Sequence, residues 1–362
     1  MVATPDTLFK RPNKMKTDKH IEIVSSTIVS LSSMSKESRD AIFAVLTKHY
    51  TKVGITIVND MDDLAKLVRK KPDLVFLGMK FVPRNSHLGL QDPQKVWLAR
   101  YLDDHGIAYT GSGHKAHDME LDKPQAKQRV LESGLKTSRY MVARIGDAPI
   151  TEDSVFGYPL FVKPTNRGGG LGIDSNSVVR DFTALQSKIA SIFADLHSDA
   201  LIEKYLSGRE FSVAILKDEL TSEYTAMPLE LVAAQDDNGS RLLSAEVKSS
   251  NAEVVSQVTD QVIKARVCSL ATGVFHALGG RDYGRIDIRL DQFGEAHFLE
   301  ANLLPSLISG YGSFPKACEM NIGLGYEEMI NRIVRLGLAR VAYEQPPVTA
   351  QFPIPLVPVV TR

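Results

Sequence analysis

The chain has 362 residues, too many for one small hydrophobic core and enough for two or three domains. Its 43 Lys and Arg residues balance 43 Asp and Glu, and 43% of positions are apolar, so neither nucleic acid nor a membrane surface is called for and small molecules are the expected partners. No apolar run of about eighteen residues and no secretory leader occur, and the two cysteines, Cys268 and Cys318, lack metal-ligand spacing, which points to a reducing, cytoplasmic setting with both thiols buried.

In chain order, residues 1–18 read as a flexible basic leader. From about residue 20, the apolar runs "IEIVSS", "VGITIV" and "DLVFLG" alternate with the helical patterns "KESRDAIFAVLTKHY", "MDDLAKLVRK" and "QKVWLARYLDDHG", ending at "IAYTGSG". Such alternation predicts a parallel sheet with crossover helices, an N-terminal α/β domain over 19–118. The helix "LDKPQAKQRVLESG" follows, closed by Gly134 as a left-handed cap. Past residue 157 the pattern becomes strand, glycine loop, helix and antiparallel strands such as "ALIEKY" and "EFSVAIL", giving an α+β lobe over 119–210. The last lobe, 211–343, is expected to hold a long helix over 254–278, a hairpin over 283–302 and the helix "YEEMINRIVRLGLAR". Residues 344–362 carry five prolines and read as an extended tail.

Chemistry concentrates in four places. In "GRIDIRLDQFGEAHFLEANLLP", 284–305, a hairpin turning at Phe293 and Gly294 sets Asp287 against Glu300 and Arg285 against Asn302. Side chains repeat every two residues on a strand, so all four share one face, while Ile286, Ile288, Phe298 and Leu299 make the other surroundings apolar. Two carboxylates and an amide oxygen suit a hard cation that also holds phosphate, and a solvated cross-strand polar patch is the plainer alternative. In "LFVKPTNRGGGLGI", 160–173, Lys163 ends an apolar strand and faces a glycine run. Backbone N–H groups and an ammonium would together hold a phosphate chain, and a flexible turn beside a snorkelling lysine fits the same residues. "LIEKYLSGREFSVAIL" places Glu203 and Glu210 where carboxylates can meet a ribose or adenine edge or remain surface acids. Lys123 opens the helix in "ELDKPQAK", against the helix dipole, which an anionic ligand or plain solvent exposure would compensate.

These motifs, in this order from "YTGSG" to "YEEMINRI", resemble the ATP-grasp superfamily and within it the D-alanine:D-alanine ligase family. The resemblance implies α/β and α+β domains: an ATP-grasp fold behind an N-terminal parallel α/β (pre-ATP-grasp) domain, with ATP beneath a glycine-rich lid. It implies that Lys123 and Lys163 bind phosphates with Arg167, Gly168, Gly169 and Gly170 of the lid. Glu203, Lys204, Leu206 and Glu210 would line the adenosine pocket. Asp287, Glu300 and Asn302 would hold two Mg2+ ions, with Mn2+ as a substitute, and Arg285 with the Ser306 backbone N–H would hold a tetrahedral oxyanion. The implied reaction is amide formation between a small-molecule carboxylate and an amine through an acyl phosphate, in a possible homodimer.

The sequence departs from that family where amino acids are recognised. "IVSSTIVSLSSMSKESRD" offers no acid before Glu37, and "LGMKFVPRNSHLGLQDPQ" stands where the family has "HGxxGEDG". "DDNGSRLLSAEVKSS" keeps only Lys248 of a tyrosine-rich closing loop, and Arg167 replaces an acid at the lid. The expected substrates are therefore an amino-acid-like pair other than two D-alanines. A divergent D-alanine:D-alanine ligase of cell-wall synthesis is the second reading, and a catalytically inactive nucleotide-binding protein is the third.

Overall fold

The structure, a computed structural model, describes residues 15–28, 31–85, 88–89, 92–233 and 253–344. The chain first builds a parallel sheet from β1 (Thr17–Ser25), β2 (Tyr50–Ile57), β3 (Leu74–Leu77) and, beyond a short β4 (Phe81–Val82) and β5 (Val96–Trp97) pair, β6 (Ala108–Tyr109). The crossovers are α1 (Lys36–His49), α2 (Met61–Arg69) and α3 (Leu98–Asp104). Ser35 and Asp60 start the first two by accepting the backbone N–H of Ser38 and Asp63. The strand order β2-β1-β3-β6 reverses direction between β1 and β3, so the carboxyl ends of those two strands flank a topological switch point, where open α/β sheets bind ligands.

Two helices, α4 (His114–Leu121) and α5 (Lys123–Glu132), lead on. Asp122 caps α5 by accepting the Gln125 N–H, and Gly134 beyond it takes φ 73°, the left-handed conformation expected there. A second sheet follows in the order β7 (Tyr140–Ala143), β10 (Ala200–Lys204), β8 (Leu160–Pro164), β9 (Val178–Val179), all antiparallel. Helix α6 (Phe182–Leu196) packs Leu185 and Ile192 against Leu160, Val162 and Ile202 of that sheet. The glycine run lies between β8 and β9.

The third sheet has the order β13 (Val254–Gln257), β12 (Tyr224–Val232), β11 (Glu210–Lys217), β14 (Tyr283–Leu290), β15 (Ala296–Asn302). Helix α7 (Gln261–Ala277) covers one face, packing Val267, Val274 and Phe275 on Phe211, Val213, Ile286 and Phe298. On the other, Ala214, Leu229 and Tyr283 join Phe314 and Cys318 of α8 (Ser313–Ile322), Ile333 of α9 (Tyr326–Glu344), and Ile21, Ile23 and Phe76 of the first sheet in one core. Both faces are therefore covered, and the first and third sheets share apolar packing.

Three expectations change. The helix expected over 254–278 begins only at Gln261: the β-branched Val254 and Val255 pair with Val232 and Leu231 as an edge strand, and Asp260 starts the helix by accepting the N–H groups of Val262 and Ile263. In the hairpin, Asp287 faces Glu300 and Arg285 faces Asn302 as expected, but a bulge makes Ile288 face Phe298. Leu299 is the extra residue and lines a cavity instead of joining the apolar face. Cys318 is buried, whereas Cys268 is half-buried. Among the described residues, no helix is long and apolar enough to cross a membrane.

Candidate active site

A cavity of about 1170 Å³ opens between the three sheets. Its wall takes in Lys163, Arg167, Gly168, Gly169, Glu203, Lys204, Leu206, Glu210, Arg285, Asp287, Glu300, Asn302 and Ser306, residues spread over more than 140 positions of sequence. Two of the residues expected to meet phosphate stand apart from it. Gly170 is buried within its turn, and the Lys123 ammonium lies behind the glycine loop, donating to the Arg167 carbonyl and 4.0 Å from Glu300. The Arg167 carbonyl thus occupies the Lys123 ammonium in this structure. Lys248 falls outside the described residues.

The floor is a buried network of charge. Strands β8 and β10 set Leu201 opposite Lys163, which makes Glu203 the diagonal neighbour of Lys163 on the same face. Glu203 is bracketed by two ammonium groups, Lys163 at 2.7 Å and Lys127 at 2.6 Å, and accepts the Ser138 hydroxyl at 2.6 Å. Burial alone would raise the Glu203 carboxyl, yet Lys127 and Lys163 bring it down to about 2. Lys163 is correspondingly raised: Glu203 and Glu300 outweigh its burial. Lys123 is not so well compensated, and burial brings it down to about 8 against the pull of Glu300.

Lys127 escaped the sequence reading, although a signal for it existed. Lys123, Ala126, Lys127 and Val130 are the buried positions of α5 and fall at i, i+3, i+4 and i+7. Two lysines on the buried stripe of a helix require partners inside the protein.

The opposite wall is the hairpin. Arg285 donates Nε and Nη2 to the two oxygens of Asp287 at 2.9 and 3.0 Å, and Nη1 to the Ser313 hydroxyl at 3.2 Å. Asp287 also accepts from Ser212 at 3.0 Å and the Asn302 amide at 3.3 Å. Burial opposes the Arg285 charge, but Asp287 raises its pKa further. Arg289 continues the same face, donating to Glu210 at 3.1 Å and to the Gly208 carbonyl at 3.2 Å, with its guanidinium 5.1 Å from the Tyr205 ring centre. The alternation "RIDIR" was the signal for it. A Cβ on Gly208 would lie 2.6 Å from the Leu290 carbonyl oxygen, so a glycine is required where the chain enters β11. Lys204 lines the wall while donating Nζ to the carbonyls of Gly157 and Tyr158, at 3.2 and 2.9 Å.

Asp287, Glu300 and Asn302 carry the hard oxygens that suit a divalent cation such as Mg2+, which would have to displace Arg285 from the Asp287 oxygens and turn the Asn302 amide, now donating N–H to Asp287. Among the described residues there is no group of three or more acid, histidine or cysteine side chains able to hold a metal alone. A cation here would need phosphate oxygens to complete its shell, as Mg2+ at nucleotide sites does. The glycine loop and Lys163 face the same cavity and fit that phosphate chain.

Residues 132–335 match the family described as D-ala D-ala ligase C-terminus. A D-alanine--D-alanine ligase of Geobacter sulfurreducens is 27% identical over 326 residues, covering 89% of this chain and 95% of that protein. An uncharacterized protein of Sinorhizobium fredii is 30% identical over 237 residues, 64% of this chain and 67% of its own length. Among solved structures, D-alanine--D-alanine ligase of Bacillus anthracis complexed with ATP superimposes with a TM-score of 0.70 at 20% identity, covering 91% of this chain and all of that one. That likeness shows the ATP-grasp arrangement, here two antiparallel sheets behind a parallel N-terminal sheet. With the family match spanning more than half of its length, the chain belongs to the ATP-grasp D-alanine:D-alanine ligase-like family and is an ATP-dependent ligase.

Proposed function

We propose that the protein joins a small-molecule carboxylate to an amine through an acyl phosphate, with a substrate pair other than two D-alanines. The observation that carries the reaction is the convergence on one cavity of Lys163 with the glycine loop, of Asp287, Glu300 and Asn302, and of Arg285 with Ser306. In this reading a carboxylate oxygen of the acid attacks the γ-phosphorus of ATP and ADP leaves; the neutral amine then adds to the acyl carbon, and the tetrahedral intermediate expels phosphate with the C–O electron pair while the amine nitrogen gives up its proton to solvent. Lys163, and Lys123 once the Arg167 carbonyl yields, neutralise charge on the phosphates. Bound Mg2+ would supply further neutralisation between the phosphates. Arg285 and the Ser306 N–H hold the oxyanion of the tetrahedral intermediate, while Glu203, Lys204, Leu206 and Glu210 surround the adenosine. None of these steps requires a side-chain nucleophile. The three sheets support division into domains at 19–118, 119–210 and 211–343.

The substrate assignment rests on the N-terminal wall. There the loop after β1 presents Ser32 and Ser33, and the segment after β3 presents Lys80, so among the described residues that line this side no carboxylate precedes Asp118 to meet an α-ammonium group. The match along 95% of a D-alanine--D-alanine ligase favours the second reading, a divergent enzyme of that specificity. A matrix of candidate acids and amines, scored for ADP and followed by mass spectrometry of the amide, separates the two. Robust D-alanyl-D-alanine synthesis would replace the first reading with the second.

A further inference from the structure

Resting on the ligase reading, the geometry points to a substrate that carries a second anionic group, carboxylate or phosphate, seated against Lys80 and Lys95 of the N-terminal wall. These lysines lie beside the switch point of the parallel sheet, with Ser32 and Ser33 on the loop after β1 and Lys80 three residues beyond β3. Both line the cavity, as does Phe81 between them.

Their surroundings leave N–H donors of both lysines available to it. Lys80 pairs with Glu120, but that buried carboxylate also accepts His117 Nδ1 at 3.1 Å and the backbone N–H of Leu303. One carboxylate thus serves three donors, while the Lys80 ammonium has three N–H groups of its own. Lys95 lies 5.0 Å from the Phe81 ring centre and 5.5 Å from that of Trp97, and its charge is felt by Asp92 without a direct ion pair among the described residues. Asp92, three residues earlier, directs its carboxylate to the backbone N–H groups of Asn85 and Gln94 at 2.7 and 2.8 Å. The acids that line this side, Asp118 and Asp122, are exposed, and the second caps α5. Lys95, half-buried over two aromatic rings in a concave wall, attracts an anion more strongly than the same group in open solvent. A neutral amino acid has a single carboxylate, which the reaction consumes, and so brings no second anion to this wall.

The test is calorimetric binding to the full chain with Mg2+ and a non-hydrolysable ATP analogue present. The panel is succinate, D- and L-aspartate, D- and L-glutamate and O-phosphoserine, against D-alanine and glycine. At least one doubly anionic ligand should bind about tenfold or more tighter than D-alanine, and Lys80→Met and Lys95→Gln should each weaken it about five- to tenfold with analogue affinity unchanged. Which ligand binds tells carboxylate from phosphate. D-alanine binding as tightly as every anionic ligand overturns the inference, as does undiminished binding in both variants. Lys95→Gln breaks no ion pair and serves if removing the Glu120 partner harms folding. ADP release is scored separately: anion binding without turnover with any amine would defeat the ligase reading and leave this inference standing, whereas turnover of D-alanine alone would do the reverse.

Discussion

Lys123 should take up a proton when nucleotide binds. Its ammonium is buried behind the glycine loop, and burial brings it down from 10.5 to about 8 in the free protein, with Glu300 only partly compensating. The difference is worth about 3 kcal/mol in favour of the neutral form, the most that a fully compensating phosphate chain could return. Near pH 8 about half of the Lys123 side chains are neutral, so binding that restores the charge should draw in up to about 0.5 proton per nucleotide. Above pH 8 affinity should fall by up to about tenfold per pH unit. Lys163 does not confuse the signal, because Glu203 holds its pKa up and it stays protonated through this range. The same depressed lysine makes the unfolded chain bind more protons between pH 8 and 10.5, so this group's contribution to stability increases as pH rises across that window. Titrating the nucleotide by calorimetry at pH 8 in buffers of different ionisation enthalpy gives the proton count directly. Lys123→Met should abolish the uptake. No uptake by the unmodified protein, or equal uptake by the variant, would refute the placement of Lys123 against phosphate.

Lys163→Ala should weaken ATP binding about ten- to hundredfold by removing a charge-assisted contact, and an unchanged titration would contradict its assignment. Glu203→Gln leaves Lys127 and Lys163 facing each other in a buried site and should cost about 3–5 kcal/mol in urea unfolding, with a loss below about 1 kcal/mol telling against the network. Because the Glu203 carboxyl is held at about 2, its contribution should be complete above pH 4.5 and fade as pH falls from there toward 2. Glu300→Gln keeps the shape of the hairpin while removing one charge from the donor set; turnover should fall by orders of magnitude with the circular dichroism spectrum unchanged, and near-normal turnover would remove the cation from this wall.

What the sequence disclosed and what it hid have physical causes. The two-residue repeat of a strand is rigid, so Arg285, Asp287, Glu300 and Asn302 could be placed on one face before any coordinates. The bulge at Leu299 could not be foreseen, because one extra residue leaves the apolar alternation nearly intact while moving one side chain from core to cavity. Asp260 and the pair Val254 and Val255 did carry the signal to divide 254–278 into strand and helix, but the surrounding apolar run masked it. Nothing in the local sequence sets Lys127 apart from other helix lysines except its position on the buried stripe, and its partner Glu203 lies on a strand 76 residues away. Lys80 and Lys95 gain meaning only when the parallel sheet brings the ends of β1 and β3 together, a long-range consequence of topology that no local pattern contains.

The central claim, an acyl phosphate formed from the acid substrate, is tested most directly by oxygen transfer. Once the substrate matrix identifies an acid, that acid is supplied with both carboxylate oxygens as oxygen-18, together with Mg2+, unlabelled ATP and the amine. The account predicts ADP and inorganic phosphate carrying one oxygen-18 atom for each amide formed. Unlabelled phosphate, or release of AMP and pyrophosphate in place of ADP, would contradict it.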